Sequence, residues 1–224
     1  MSESPISFVD QLSDAARAEL ESAARHRHYA RGVILFHEDD EGSQVMLLQS
    51  GRVKVSVSAP SGREVILHVF DAGELLGEIA AVDGGVRSAT VSALTDVDVL
   101  VLPQAEFVEF LRRHAEAATA LLQLLVAKLR GATRRQLEFG TTDALGRLCR
   151  ALLELSAQYG DHAGGVQRFE LPLTQQDLAS FSGLSREAVV KGLAALRALE
   201  WIRTSGRTFE LLDHDAISAR AAEG

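Results

Sequence analysis

Between about His28 and Leu102 the chain runs through short β-rich segments, and after Pro103 its apolar residues change to a helical spacing. The strand-like segments are Val33–Phe36, Gln44–Leu48, Arg52–Val57, Glu64–Phe70, Ala89–Leu94 and Val97–Leu102. Turn signals separate them: Asp40-Glu41-Gly42, Ser50-Gly51, Ser61-Gly62, Asp71-Ala72-Gly73 and Asp83-Gly84-Gly85. Short strands at this spacing predict an antiparallel barrel or sandwich, preceded by an amphipathic helical stretch over Phe8–Ala24. Pro103 suits a helix start, and Phe107, Phe110 and Leu111 stripe a short helix ending near His114. A longer helix, Ala115 to about Phe139, carries Ala118, Leu121, Leu122, Leu125 and Leu129 at three- and four-residue steps. So long an apolar face needs a partner, and a second copy of itself is the simplest one. Gly131 interrupts this helix at a cost of ~1 kcal/mol relative to Ala. It marks either a close approach to the backbone or a tolerated glycine near a frayed end.

The C-terminal third has a different plan. Gly140-Thr141-Thr142-Asp143 reads as a hinge with a cap for a helix over Ala144–Gln158, and Gly164–Leu173 reads as a strand pair. Thr174 and Asp177 form a capping-box-like start, Ser182-Gly183-Leu184 turns the chain, and Ser185 caps a further helix to about Glu200. Trp201–Leu212, around Ser205-Gly206, reads as a hairpin. Helix, glycine-containing turn and second helix are the parts of a DNA-reading helix-turn-helix. At ~100° per residue, Arg186, Glu187, Val190 and Lys191 fall within an arc of about 140°, opposite Val189, Leu193, Leu196 and Leu199. Arg offers a fork to guanine, Glu accepts from cytosine N4, and Lys donates to guanine acceptors. Phosphate contacts are expected from Thr174 and Gln175 and, in the hairpin, from Arg203 and Arg207.

A chain of 224 residues allows two compact units or one large one, and 46% hydrophobic with 24% charged residues is a folded composition. The one cysteine, Cys149, cannot make an internal disulfide, ligate an iron–sulfur cluster or complete a structural zinc site. Set among Leu145, Leu148 and Leu152, it reads as core, and a reducing cytoplasm is the expected compartment. The acidic N-terminal stretch and the brevity of the most apolar run, Leu121–Leu129, predict neither export nor membrane insertion. The net charge of −8, from 23 basic and 31 acidic residues, disfavours a broad electrostatic hold on nucleic acid. The segment from Asp143 onward carries nine basic and eleven acidic residues, however, so most of the acidic excess lies in the N-terminal part. No nucleophile elbow, P-loop or metal-ligand spacing occurs, so we expect no enzyme, no catalytic residue and no metal. His26 and His28 share one face of a strand but, beside Arg25 and Arg27, read as solvated.

The most specific stretch runs from Gly73 to Thr90, GELLGEIAAVDGGVRSAT. Gly73 and Gly77 let the backbone approach a ligand, a short helix from Glu78 can present amides, and Arg87-Ser88 follows a flexible turn. The cradle suits a phosphate, with Arg87 as the charged fork, Ser88 as hydroxyl donor and Glu78 accepting from a ribose hydroxyl.

GELLGE with RSAT, and LTQQDLAS with GLSREAVVKGL, resemble the phosphate-binding cassette and the helix-turn-helix of the catabolite activator and fumarate–nitrate regulator (Crp–Fnr) family of bacterial transcription factors. The resemblance covers nearly the whole chain. It implies an α+β protein with an N-terminal antiparallel β-roll (1–114), a central dimerisation helix and hinge (115–142) and a C-terminal winged helix-turn-helix (143–224). It implies effector contacts at Gly77, Glu78, Arg87, Ser88 and Thr133, and base contacts at Arg186, Glu187 and Lys191 of the helix that Ser185 caps. The cyclic-AMP receptors contact adenine through two successive hydroxyl residues, where this chain has Ala132 and Thr133. They also carry a second recognition arginine where this chain has Lys191, a point charge without the fork. The expectation is a homodimeric regulator gated by a cyclic nucleotide, cyclic AMP foremost, that binds a palindromic double-stranded operator and acts on RNA polymerase. The alternatives are gating by cyclic GMP, by a cyclic dinucleotide or by no ligand, and an effector sensor that docks a protein instead of DNA.

Overall fold

A computed structural model describes residues 7–161 and 167–223, in two compact units that divide at Arg130 and Gly131. The N-terminal unit opens with a 3₁₀ turn (Val9–Gln11), α1 (Asp14–Ala23), β1 (Arg25–Tyr29) and β2 (Ile34–Phe36). Then follow β3 (Gln44–Ser50), β4 (Val53–Ser58), β5 (Glu64–Phe70), β6 (Leu75–Leu76), α2 (Glu78–Asp83), β7 (Thr90–Ala93), β8 (Val97–Pro103) and α3 (Gln104–Arg113). The helix α4 (Ala115–Thr141) begins here and runs into the second unit.

The strands form two four-stranded antiparallel sheets, ordered β1-β8-β3-β6 and β2-β7-β4-β5. Residues alternate across a strand, and β3 and β8 bury both faces. Val45, Leu47, Leu100 and Leu102 pack outward against Phe8, Leu20, Phe107, Phe110 and Leu121 of the helical layer. Met46, Leu48, Val97, Val99 and Val101 pack inward with Val53, Leu76 and Val91. Double burial is why these two strands read as nearly continuous apolar runs rather than alternating ones.

Several expectations need correction. The helical stretch over Phe8–Ala24 is broken at Ser13, whose hydroxyl caps Ala16 N–H and starts α1 anew. β1, almost wholly polar, and the two-residue β6 are further strands. The stripe on α4 serves two faces: Ala117, Ala120 and Leu121 are buried, while Leu122, Val126 and Leu129 are exposed. Among the described residues a Cβ on Gly131 would meet nothing within 4 Å, so no close approach there explains that glycine. Helix α4 continues through Gly140 and Thr141, and the break falls at Thr142, ahead of the Asp143 cap.

In the second unit α5 (Ala144–Tyr159) precedes β9 (Gln167–Glu170), α6 (Gln175–Ser182), α7 (Arg186–Ala198), β10 (Ile202–Ser205), β11 (Thr208–Leu211) and α8 (His214–Ala222). Of the strand pair expected over Gly164–Leu173, the described residues show one strand, β9, which joins the β10–β11 hairpin by pairing with β11 and is also bridged antiparallel by Asp161 at Arg168; residues 164–166 lie outside the described residues. Cys149 is fully buried in α5, and burial pushes its thiol up to about 11. It should stay protonated and shielded, inert to a thiol-disulfide reagent at pH 8 until the protein is unfolded in guanidinium. Reaction of the folded protein at the rate of a free thiol would refute this placement.

Candidate functional site

In the N-terminal unit three of the sequence-expected effector residues converge. Gly77 ends β6 and caps α2 with φ 77°, a left-handed conformation that favours glycine. A Cβ there would lie 2.0 Å from an Arg87 guanidinium nitrogen, so the glycine is required by space as well as by backbone. Arg87 is 4% exposed. Its Nη1 donates to the Gly77 carbonyl at 3.0 Å and its Nη2 to the Gln44 carbonyl at 2.6 Å. The guanidinium lies 4.3 Å from the Phe36 ring centroid, and its buried Nε has no hydrogen-bond partner. Burial lowers the Arg87 pKa, and the charges of Asp40 and Glu78 oppose that shift. The backbone of Arg87 is fixed by the turn beside it, donating to Asp40 O at 2.8 Å and accepting from Asp39 N at 2.9 Å.

Glu78, the first residue of α2, is 4% exposed, and its Oε1 accepts from Lys128 Nζ of α4 at 2.7 Å. The ammonium also sits 4.9 Å from the Phe70 ring centroid. Glu74 completes the group: burial raises its pKa, the Lys128 charge counters this, and Glu78 and Asp71 add to it. Sequence reasoning misses Lys128, although a signal exists: it follows Leu121 and Leu125 at the i, i+4, i+7 spacing of the inward stripe, where an apolar residue is the default. Ser88 is exposed next to Arg87, and Thr133, exposed on α4, belongs to the second unit.

In the second unit the two caps form as expected. Thr174 Oγ1 accepts from Asp177 N–H at 3.1 Å while Asp177 Oδ2 accepts from Thr174 N–H at 3.1 Å, a complete capping box at the start of α6. Gly183 turns the chain with φ 66°, and Ser185 Oγ accepts from Ala188 N–H to start α7. The inward side of α7 buries Val189, Leu193 and Leu196. A Cβ on Gly192 would meet Leu148 Cδ2 at 2.5 Å, so this glycine lets α7 lie close on α5. Ser185, Arg186, Glu187, Val190 and Lys191 are exposed together on the other side. Amide and Ser185 hydrogen bonds at the helix start hold Glu187 below the usual carboxylate range, which keeps it an acceptor.

Gln175 is exposed at the first turn of α6. The wing arginines are more engaged than expected. Arg203 Nη1 donates to Glu210 at 2.8 Å, and Arg207 spends Nε and Nη2 on the Leu171 carbonyl at 3.1 and 3.0 Å. Among the described residues no group of three or more His, Cys, Asp or Glu could hold a metal ion, and no helix is long and apolar enough to cross a membrane.

Residues 26–114 match the family model of the cyclic nucleotide-binding domain, and residues 146–220 that of the Crp-like helix-turn-helix domain. The CRP-like cAMP-activated global transcriptional regulator of Mycobacterium tuberculosis (strain H37Rv) is 30% identical over 210 residues, 94% of each chain. The chain belongs to the Crp–Fnr family of transcription regulators. The cyclic AMP receptor protein of Thermus thermophilus is 31% identical over 187 residues, 84% of this chain and 83% of that one. Among solved structures, the Thermus thermophilus catabolite activator protein matches with a TM-score of 0.56 at 29% identity, over 97% of this chain and 98% of its own. The c-di-GMP-responsive global regulator CLP of Xanthomonas campestris shares the fold, with a TM-score of 0.79 at 21% identity over 90% of this chain and 100% of its own.

This Crp–Fnr regulator therefore joins a cyclic-nucleotide-binding domain to a helix-turn-helix, and its family is one of regulators, not enzymes. Within its cassette, the Glu78–Lys128 pair sets a testable constraint. Replacing Lys128 by Met strands a buried carboxylate and should destabilise the protein by ~2–4 kcal/mol in urea unfolding, below the full cost for a buried pair because the lysine is partly exposed. Glu78→Gln with Lys128→Met should recover most of that loss. Additive losses in the cycle would mean that the two side chains do not interact.

Proposed function

We propose that this regulator is a homodimer, gated by cyclic AMP, that reads a palindromic operator in the cytoplasm and acts on RNA polymerase. The observation that carries the effector reading is the buried Arg87 guanidinium, held at the left-handed turn of Gly77 next to the buried Glu78. A buried guanidinium whose donors rest on neutral carbonyls, with Nε free of any partner, gains more from a phosphate than from those carbonyls, because the anion adds charge–charge attraction at low dielectric and a bidentate geometry to the hydrogen bonds. Glu78, with Lys128 beside it, is the acceptor for a ribose hydroxyl, Ser88 adds a hydroxyl to the phosphate, and Thr133 supplies the base contact from α4. The names of the relatives, a cAMP-activated regulator and a cyclic AMP receptor, favour cyclic AMP among the nucleotides.

Residues 1–114 serve as the effector domain, 115–142 as dimerisation helix and hinge, and 143–224 as the DNA-binding domain. The exposed Leu122, Val126 and Leu129, spaced four and three residues apart on α4, support pairing with a second copy. Two copies of α7 then enter successive major grooves, Arg186, Glu187 and Lys191 reading bases while Thr174, Gln175, Ser185, Arg203 and Arg207 steady the backbone. Arg203 and Arg207 must exchange their internal partners, Glu210 and Leu171, for phosphates.

Calorimetry tests the effector assignment. Arg87→Ala should lose ~1.5–3 kcal/mol of cyclic AMP binding, and Arg87→Lys should recover only part, since it keeps the charge without the fork. Wild-type binding of cyclic GMP or a cyclic dinucleotide in preference to cyclic AMP would reassign the ligand. Undiminished binding of every nucleotide by Arg87→Ala would remove this residue from the site.

The DNA reading has its own measurement. Arg186→Ala should cost ~1–3 kcal/mol of operator affinity and relax one base pair, whereas Gln175→Ala should weaken all sequences alike. Cyclic AMP should tighten operator binding with a coupling of ~1–3 kcal/mol, and operator should tighten cyclic AMP by the same factor. A salt-insensitive interaction, or a selected motif unchanged by Arg186→Ala, would contradict the assignment of α7.

A further inference from the structure

We propose that Val190 is a specificity-determining residue that reads thymine through its C5-methyl group. Within α7 the large apolar side chains Val189, Leu193 and Leu196 are 0–2% exposed, whereas Val190 is 45% exposed. A single exposed apolar residue is ordinary on a protein surface, and what distinguishes this one is its position. At ~100° per residue Val190 lies about 40° from Arg186 and about 60° from Glu187 around the helix, between two exposed charged groups and one turn beyond Arg186. Helix formation does not account for a valine there, because a β-branched residue is a poorer helix former than alanine. Arg186, Glu187 and Lys191 address hydrogen-bonding edges, and an isopropyl group between them can address none. In the major groove the apolar feature that distinguishes one base pair from the others is the thymine methyl. Val190 thus adds a T·A requirement adjacent to the G·C pair met by Arg186.

The inference rests on the reading of α7 as the helix that enters the major groove, and its test separates the two. Full-length protein selects duplexes from a random pool with and without cyclic AMP, and the preferred duplex is remade with deoxyuridine in place of thymidine, one symmetry-related pair of positions at a time. The replacement removes the methyl group and leaves every Watson–Crick contact. Wild type should lose affinity at one such pair of positions by roughly fourfold per half-site, the worth of one buried methyl group. Val190→Ser should bind thymidine and deoxyuridine duplexes equally at those positions, and Val190→Ile should restore the preference. The exposure of the side chain makes both variants compatible with folding, which a thermal melt verifies. A wild type indifferent to deoxyuridine at every position, or an identical methyl dependence in Val190→Ser, overturns the role of Val190 while leaving DNA reading intact. Failure of wild type to bind any duplex overturns the DNA reading itself.

Discussion

The Arg87 guanidinium lies on the Phe36 ring and donates to carbonyls from two distant parts of the chain, Gly77 at the start of α2 and Gln44 at the start of β3. A charge buried this deeply needs its donors placed, and the left-handed Gly77 turn places one acceptor while β3 places the other. The same turn must be glycine, because a side chain would occupy the space of the guanidinium. Arg87 also holds the Asp39–Asp40 turn through its own backbone, so helix, strand and turn all meet at one residue, the first two through its side chain. A ligand that recruited this guanidinium would act on the start of α2 and the start of β3 together.

Beside it, Glu78 ties α2 to α4 through Lys128. The lysine belongs to the inward stripe of a helix whose opposite side exposes Leu122, Val126 and Leu129. The turn at Gly77 and Glu78 is therefore one ion pair away from the helix that exposes Leu122 and Leu129, at 63% and 67%.

Local signals made much of this architecture legible. The strand over Glu64–Phe70, the capping box at Thr174 and Asp177, the left-handed Gly183 turn and the Ser185 cap each follow from residue chemistry within four or five positions, and each formed where expected. What escaped was set by tertiary partners. β1 is Arg25-His26-Arg27-His28-Tyr29, with no buried residue, and is a strand because β8 pairs with it along its whole length. β6 is only two residues long and exists as the partner of Met46 and Leu47. Lys128 is unremarkable until Glu78 comes to lie against it across 50 positions of sequence. That Gly77, Glu78 and Arg87 come together was legible; that Arg87 turns to two carbonyls was not, because Gln44 carries no sequence mark of its role.

The helix-turn-helix shows how little of an exposed helix face is specified by the residues on it. Arg186, Glu187 and Lys191 are exposed and make no packing decision. Their direction comes from the far side of α7, where Val189, Leu193 and Leu196 fix the rotation of the helix and Gly192 sets its depth against Leu148. A change of about 100° in that rotation, one residue of register, would bury a charge and expose a leucine, so the core enforces the face with the full cost of both errors. The exposed face of Arg186, Glu187, Val190 and Lys191 can then be altered with little effect on folding, since the residues that face solvent and the residues that aim them are different ones on the same thirteen-residue helix.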